Sequence, residues 1–155
     1  MPAPTITHLI CTAALIVLII VMQFFYMQIV SNVRAEVIRR ELKDIADHVS
    51  NTFSNLYYLL NSSSSTRILR KTLEVPEKVE EILYYIQINY NTSSNKAENI
   101  KVYLVSDNSI YAVSWLTPGL KVNTSMNLIV LSSENDIFAC CSRFGGEFLI
   151  WFEID

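Results

Sequence analysis

Glycine, proline, cysteine and histidine are all scarce: the 155-residue chain has 3 Gly, 4 Pro, 3 Cys and 2 His. Three glycines (Gly119, Gly145, Gly146) build no phosphate-cradling loop. His8 and His48 lie 40 positions apart on one helical pattern, so they share neither a metal nor a triad. Neither neighbours Cys140 or Cys141 in sequence, and no zinc or haem spacing results. Cys11 falls inside an apolar run, which argues against a disulfide framework. An adjacent Cys140–Cys141 bridge would be strained, so these two read as small buried strand residues. Lys and Arg total 12 against 15 acids, with no basic run among aromatics, so nothing points to nucleic acid. Carboxylate pairs such as Glu80–Glu81 read as solvated strand faces. No catalytic constellation, cofactor site, metal site or small-molecule substrate site emerges, and the chain is not expected to be an enzyme.

What the chain has is grease at its start. No charge occurs from Leu9 to Val33, and 14 of those 25 residues are Leu, Ile, Val or Phe. As a helix the run spans about 37 Å, more than the roughly 30 Å hydrocarbon core of a bilayer. A signal peptide has a basic beginning and an apolar stretch of about 7–15 residues, and "MPAPTITH" has no Lys or Arg. The run is read as an anchor. Pro2 and Pro4 bar an earlier helix start, and Thr5 suits an N-cap. Phe24, Phe25 and Tyr26 form an interfacial belt, and Gln23 is a candidate for hydrogen bonding between neighbouring helices.

From residue 34 the pattern turns amphipathic. Ile38, Leu42, Ile45, Val49, Phe53 (or Thr52), Leu56 and Leu60 follow in steps of three and four, one stripe on a helix. Glu36–Arg40 and Arg40–Asp44 supply pairs on the opposite face, where His48 also sits. No Gly or Pro interrupts residues 5–61, so one helix of about 57 residues is expected, ending at the "NSSSST" linker. A lone stripe needs a cover: the chain's own β domain, neighbouring subunits, or one for each half.

After Thr66 the period becomes two. "GEFLIWFEI" (146–154) puts Phe148, Ile150, Phe152 and Ile154 on one face. "NIKVYLVSD" and "SIYAVSWL" flank Asp107–Asn108, read as a two-residue hairpin turn. Pro118–Gly119, Asn135–Asp136 and Gly145–Gly146 mark further turns, and residues 89–99 read as the longest loop. Seven or eight short strands predict an antiparallel, sandwich-like β domain in an α+β chain. The boundaries are 1–33 for leader and membrane helix, 34–61 for the amphipathic stalk, 62–66 for the linker and 67–155 for the β domain.

Two signals compete over orientation. Arg34, Arg39, Arg40 and Lys43 follow the apolar run, which by the positive-inside rule puts the C-terminal part in the cytoplasm. Those cations are interleaved with acids, and Asn61, Asn91 and Asn123 begin Asn-x-Ser/Thr sequons, candidates for N-glycosylation outside the cell. The β-rich, polar character of the remainder favours a single-pass protein with its β domain outside.

This layout resembles type IV pilin-like proteins. More particularly, "TITHLICTAALIVLI" (5–19), "ELKDIADHVSNTFSNLYYLLNSS" (41–63), "KTLEVP" (71–76) and "SWLTPGLKV" (114–122) resemble small archaeal pilin-like membrane proteins akin to the accessory subunits of the archaellum. The resemblance implies a helix that assembles into a filament or stator core, with the β domain displayed on the cell surface. Its partners would be the membrane, further copies or other pilin-like subunits, and the surface layer. Unlike pilins, the chain has no Lys or Arg before Arg34 and no acid before Glu36, which favours a membrane-retained accessory subunit over a processed one. The competing expectation is a single-pass binding protein. Its β domain would grip the surface layer, a glycan or another envelope protein through Tyr84, Tyr85, Tyr90, Tyr103, Tyr111 and Trp115.

Overall fold

The computed structural model describes residues 3–63, 65–134 and 136–155. A single helix, α1 (Ala3–Ser62), is followed by eight strands: β1 (Ile68–Thr72), β2 (Tyr84–Asn91), β3 (Lys96–Leu104), β4 (Tyr111–Trp115), β5 (Leu120–Val122), β6 (Ile129–Leu131), β7 (Ile137–Phe144) and β8 (Glu147–Ile154). The helix begins at Ala3, so Thr5 lies inside it and is not its N-cap; Pro4 occupies the first turn, where its missing N–H costs nothing. The chain divides into two units, Met1–Val37 and Ile38–Asp155.

In the first unit, every described residue from His8 to Arg34 is exposed. The α1 segment from His8 contains an 18-residue window of mean hydropathy 2.5, none of it buried, and is long and apolar enough to cross a membrane.

In the second unit the helix stripe meets a sheet. Ile38, Leu42, Ile45, Val49, Phe53, Leu56 and Leu60 are all buried, joined by Ala46 and Thr52. The facing layer is one eight-stranded sheet in the order β1-β7-β8-β5-β3-β2-β6, with β4 branching from β3. The α+β arrangement is therefore a helix laid on a sheet, and the helix itself is the second layer. Inward residues alternate along each strand: Tyr84, Ile86 and Ile88 on β2, Ile100, Val102 and Leu104 on β3, Phe148, Ile150 and Phe152 on β8. Phe53 on the helix meets Phe152 at 5.5 Å between ring centroids, and Tyr57 meets Phe148 edge-on at 4.7 Å. Ile154 has left the core and stands 36% exposed. Cys140 and Cys141 are buried and free of any bridge.

All pairings are antiparallel except that of β5 with β8, which is parallel in the register Leu120↔Phe148 and Val122↔Ile150. Strand β8 thereby joins the β1–β7 pair to the β5-β3-β2-β6 group.

Two connections differ from the sequence expectation. The β3–β4 link is six residues, 105–110, and not a two-residue turn. Asp107 Oδ1 accepts the Ser109 backbone N–H at 2.9 Å and Leu104 N donates to Ile110 O, closing a wider loop. Residues 89–99 are largely paired: β2 and β3 zip to Asn91↔Lys96, with a register shift at Asn89/Tyr90 taking up the odd residue. The longest connection is instead 73–83, between β1 and β2. It contains a tight Val79↔Ile82 turn whose central Glu80 and Glu81 both have positive φ, 44° and 65°. Of the expected Asn135–Asp136 turn, Asn135 lies outside the described residues.

The outer edge of β4 is capped by the helix. Backbone pairing with β3 uses alternate β4 residues, leaving the Val113 and Trp115 carbonyls facing outward. Lys43 Nζ donates to Val113 O at 2.8 Å, and Ser50 Oγ donates to Trp115 O at 2.7 Å. Side chains thus occupy hydrogen-bonding positions that another strand would need.

Candidate functional site

The sequence singled out one helix face for packing, and the structure divides it. The stripe from Ile38 to Leu60 is filled by the chain's own sheet, one of the covers the sequence allowed. Gln23 and the apolar residues around it, including Leu15, Ile19, Met22 and Phe24, are exposed. Most of the uncovered apolar surface of α1 therefore belongs to the first unit, with Tyr58 and Leu59 also exposed near the end of the helix.

A cleft of about 350 Å³ opens between the helix and the β1–β2 connection. Ile45, Val75 and Val79 form its floor, and Glu41, Asp44 and Glu74 stand around it. The helix supplies its acids because positions 41, 44, 45 and 48 fall on adjacent flanks of the buried stripe. The connection is held there from beneath, where the Tyr84 hydroxyl donates to Pro76 O and burial raises the Tyr84 pKa. His48 lines the cleft, with Lys78 as the opposing charge. This cleft was invisible in the sequence, since its two walls are some 30 residues apart.

Beside it, Asp47 ties helix to sheet. Its carboxylate accepts from Lys43 Nζ at 2.7 Å and from Ser114 Oγ at 2.6 Å. Burial alone would raise its pKa, but the bonds from Lys43 and Ser114 and the Lys43 charge outweigh it and hold the carboxyl below its ordinary 3.8.

The aromatic candidates separate by face. Tyr84 is fully buried and Tyr90 packs against the core, so both serve the fold. Tyr85, Tyr103, Tyr111 and Trp115 share the outer face across β2, β3 and β4 by strand register. Tyr85 and Tyr103 lie 5.5 Å apart, and Lys101 Nζ sits over Tyr103 and Tyr111 at 5.2 and 4.8 Å. Asn89 and Asn99 bond to each other beside them at 2.9 Å. Trp115 is the most exposed of these aromatics, at 74%.

Two of the three sequons lie close together, those at the β2–β3 turn and just after β5. Asn61 is exposed in the last turn of α1, and Asn91 is exposed at the β2–β3 turn. Asn123 is half-buried just after β5, next to that turn through Val122 N donating to Asn95 O at 2.8 Å. Both Asn91 and Asn123 accept a backbone N–H two residues on, from Ser93 and Ser125.

The β7–β8 hairpin closes on Gly145 and Gly146, both at positive φ, which is what a two-residue turn of the right twist requires. It presents Phe144, 79% exposed, on one face, while Arg143 on the other lies over the Phe148 ring at 5.8 Å. Arg67 lies next to it, its carbonyl accepting Arg143 N at 2.8 Å. Sequence reasoning passed over Phe144, although an aromatic set directly against a glycine turn is a signal of display.

The thiols offer little nucleophilic power. Burial, with Cys140 Sγ donating to Glu153 at 3.3 Å, pushes Cys140 up to about 12, and burial alone does the same to Cys141. Among the described residues no group of three His, Cys, Asp or Glu side chains is placed to hold a metal ion. What these arrangements offer is contact surface: an apolar helix, an acidic cleft, an aromatic sheet face and a basic hairpin tip. No family model, curated protein or solved structure matches the chain.

Proposed function

We propose that the chain is a membrane-anchored, pilin-like structural subunit of an archaeal surface filament or of its envelope machinery, assembling through its long N-terminal helix. One observation carries this reading: residues 9–33 expose apolar side chains along their whole length, whereas the stripe that follows is already filled. The first surface needs lipid or neighbouring helices; the second needs neither. The protein would be single-pass with its β domain outside, where the sequons could be modified, and it would act by assembly and not by catalysis. Negative-stain microscopy of sheared surface appendages, with N-terminal mass spectrometry of the same material, tests this. Filaments containing the chain support the subunit version. Recovery only from washed membranes, with Met1 or Pro2 intact, supports the accessory version. A chain that remains monomeric in its membrane overturns both.

A second reading draws on the outer sheet face, where Tyr85, Tyr103, Tyr111 and Trp115 stand together with Asn and Lys side chains. There the protein is an adaptor whose β domain contacts the surface layer, a glycan or another envelope protein. Replacing Tyr111 and Trp115 by alanine would then remove binding to isolated envelope and leave assembly intact.

A further inference from the structure

We infer that the open edge of β1 takes up an extended, acid-bearing segment of another protein as a further strand of the sheet. The inference goes beyond the assembly reading above and does not depend on it.

Three strands have a neighbour on one side only: β1, β4 and β6. Their free sides differ. On β4 the outward carbonyls are taken by Lys43 and Ser50. Strand β6 is three residues long, and the outward carbonyl of Leu131 accepts the Glu134 N–H of its own turn at 3.1 Å. On β1 the bonds from Arg143 N to Arg67 O and from Leu73 N to Ile137 O fix the alternation. Odd positions turn their backbone toward β7, so Ile68, Arg70 and Thr72 turn theirs outward. Among the described residues nothing bonds to the N–H and C=O groups of these three, and all three residues are exposed. A row of unpaired groups of this kind is a template for strand addition.

The charges choose the partner. Arg70 projects to the outer face of the sheet, over the Phe138 ring at 5.0 Å, and Lys71 projects to the face that carries Leu69 and Leu73. Among the described residues neither cation is in an ion pair. Glu153, two strands away on the outer face, already accepts the Cys140 thiol. Charges on an edge commonly repel further strands, and here they repel one kind. A second β1 paired antiparallel over the whole row would set Arg70 directly against Arg70 of the other copy, like charge on like. A strand with two consecutive acids meets the opposite case. Its carboxylates fall on opposite faces, one beside Arg70 and one beside Lys71, while its backbone fills the open row.

The test uses the purified full-length chain in detergent, so its outcome is separate from that of assembly. The probe is the synthetic peptide Thr-Val-Thr-Glu-Glu-Val-Thr-Val, and amide hydrogen exchange is read residue by residue. Exchange at positions 68, 70 and 72 should slow several-fold with the peptide, while 69 and 71, already bonded to β7, should stay as they are. A Lys-Lys version of the peptide should protect nothing, and neither should a fully N-methylated version of equal charge. Arg70→Glu with Lys71→Glu should reverse the preference between the Glu-Glu and Lys-Lys peptides. Both substitutions are at exposed sites, and an unchanged urea midpoint verifies that this variant is folded. Protection that does not alternate, equal protection by the two peptides, or none up to the solubility limit of the peptide overturns the inference.

Discussion

One helix in this molecule carries two kinds of surface. From His8 to Arg34 it is apolar around most of its circumference, with every side chain exposed; from Ile38 to Leu60 it is apolar along one stripe, and that stripe is buried. The difference is one of solvent. A helix that is hydrophobic all round must find lipid or other helices, whereas a striped helix finds its partner in a sheet. The charged run beginning at Arg34 is where one requirement gives way to the other.

The sharpest way to break this comparison is to damage the packed half. Phe53→Ala should cost the second unit about 3–5 kcal/mol, since it empties a fully enclosed ring site against Phe152. Leu42→Lys, which buries an unpaired charge, should prevent that unit from folding. Urea titration in detergent reads the first, and limited proteolysis reads the second. In both variants the chain should still fractionate with membranes; loss of the anchor would show that the two halves are not independent.

The converse substitution, Ile19→Arg, should cost about 2.5–3.5 kcal/mol of insertion free energy at the helix centre. A glycosylation-reporter insertion assay measures it, and the urea midpoint of the second unit should not move. A shifted midpoint would mean that the apolar run supports the β domain.

Smaller effects sharpen the picture of what steadies the packed half. Glu81 at φ 65° sits in a backbone region that suits glycine, so Glu81→Gly should stabilise the second unit by about 1 kcal/mol. The smallest effect concerns Asp47, whose exposed pairing with Lys43 and bond to Ser114 are worth about 1 kcal/mol or less. Its pKa is depressed in the folded chain, so this stabilisation is complete above the unfolded value and fades as pH falls through the folded one. The gap in urea midpoint between wild type and Asp47→Asn should be flat from about pH 5 to 8 and close below about 3.8.

The elements themselves were legible because periodicity is local. The helix over Thr5 to Asn61, the seven or eight strands and the inward set Phe148, Ile150 and Phe152 follow from period alone, whereas Ile154, expected on the same face, lies beyond the core. Pairing was not, because it joins distant residues. Nothing in "LKV" announces a parallel partner 28 positions later, and "NYNTSSNKAEN" looked like a loop although a bulge lets it pair. Asp107–Asn108 misled because the Asp107 side chain builds its own turn and widens the link. The cleft was hidden for the same reason as the pairing: Glu41 and Glu74 share a rim only after the 73–83 connection folds back onto the helix.

The position of β8 has a consequence for biogenesis. It is the eighth strand made, yet the sheet places it between β7 and β5. A ribosome that has synthesised the first seven strands has produced two fragments without the ladder that unites them. Closure of the sheet waits for residues 147–154, so the two fragments can unite only once the last strand has been made.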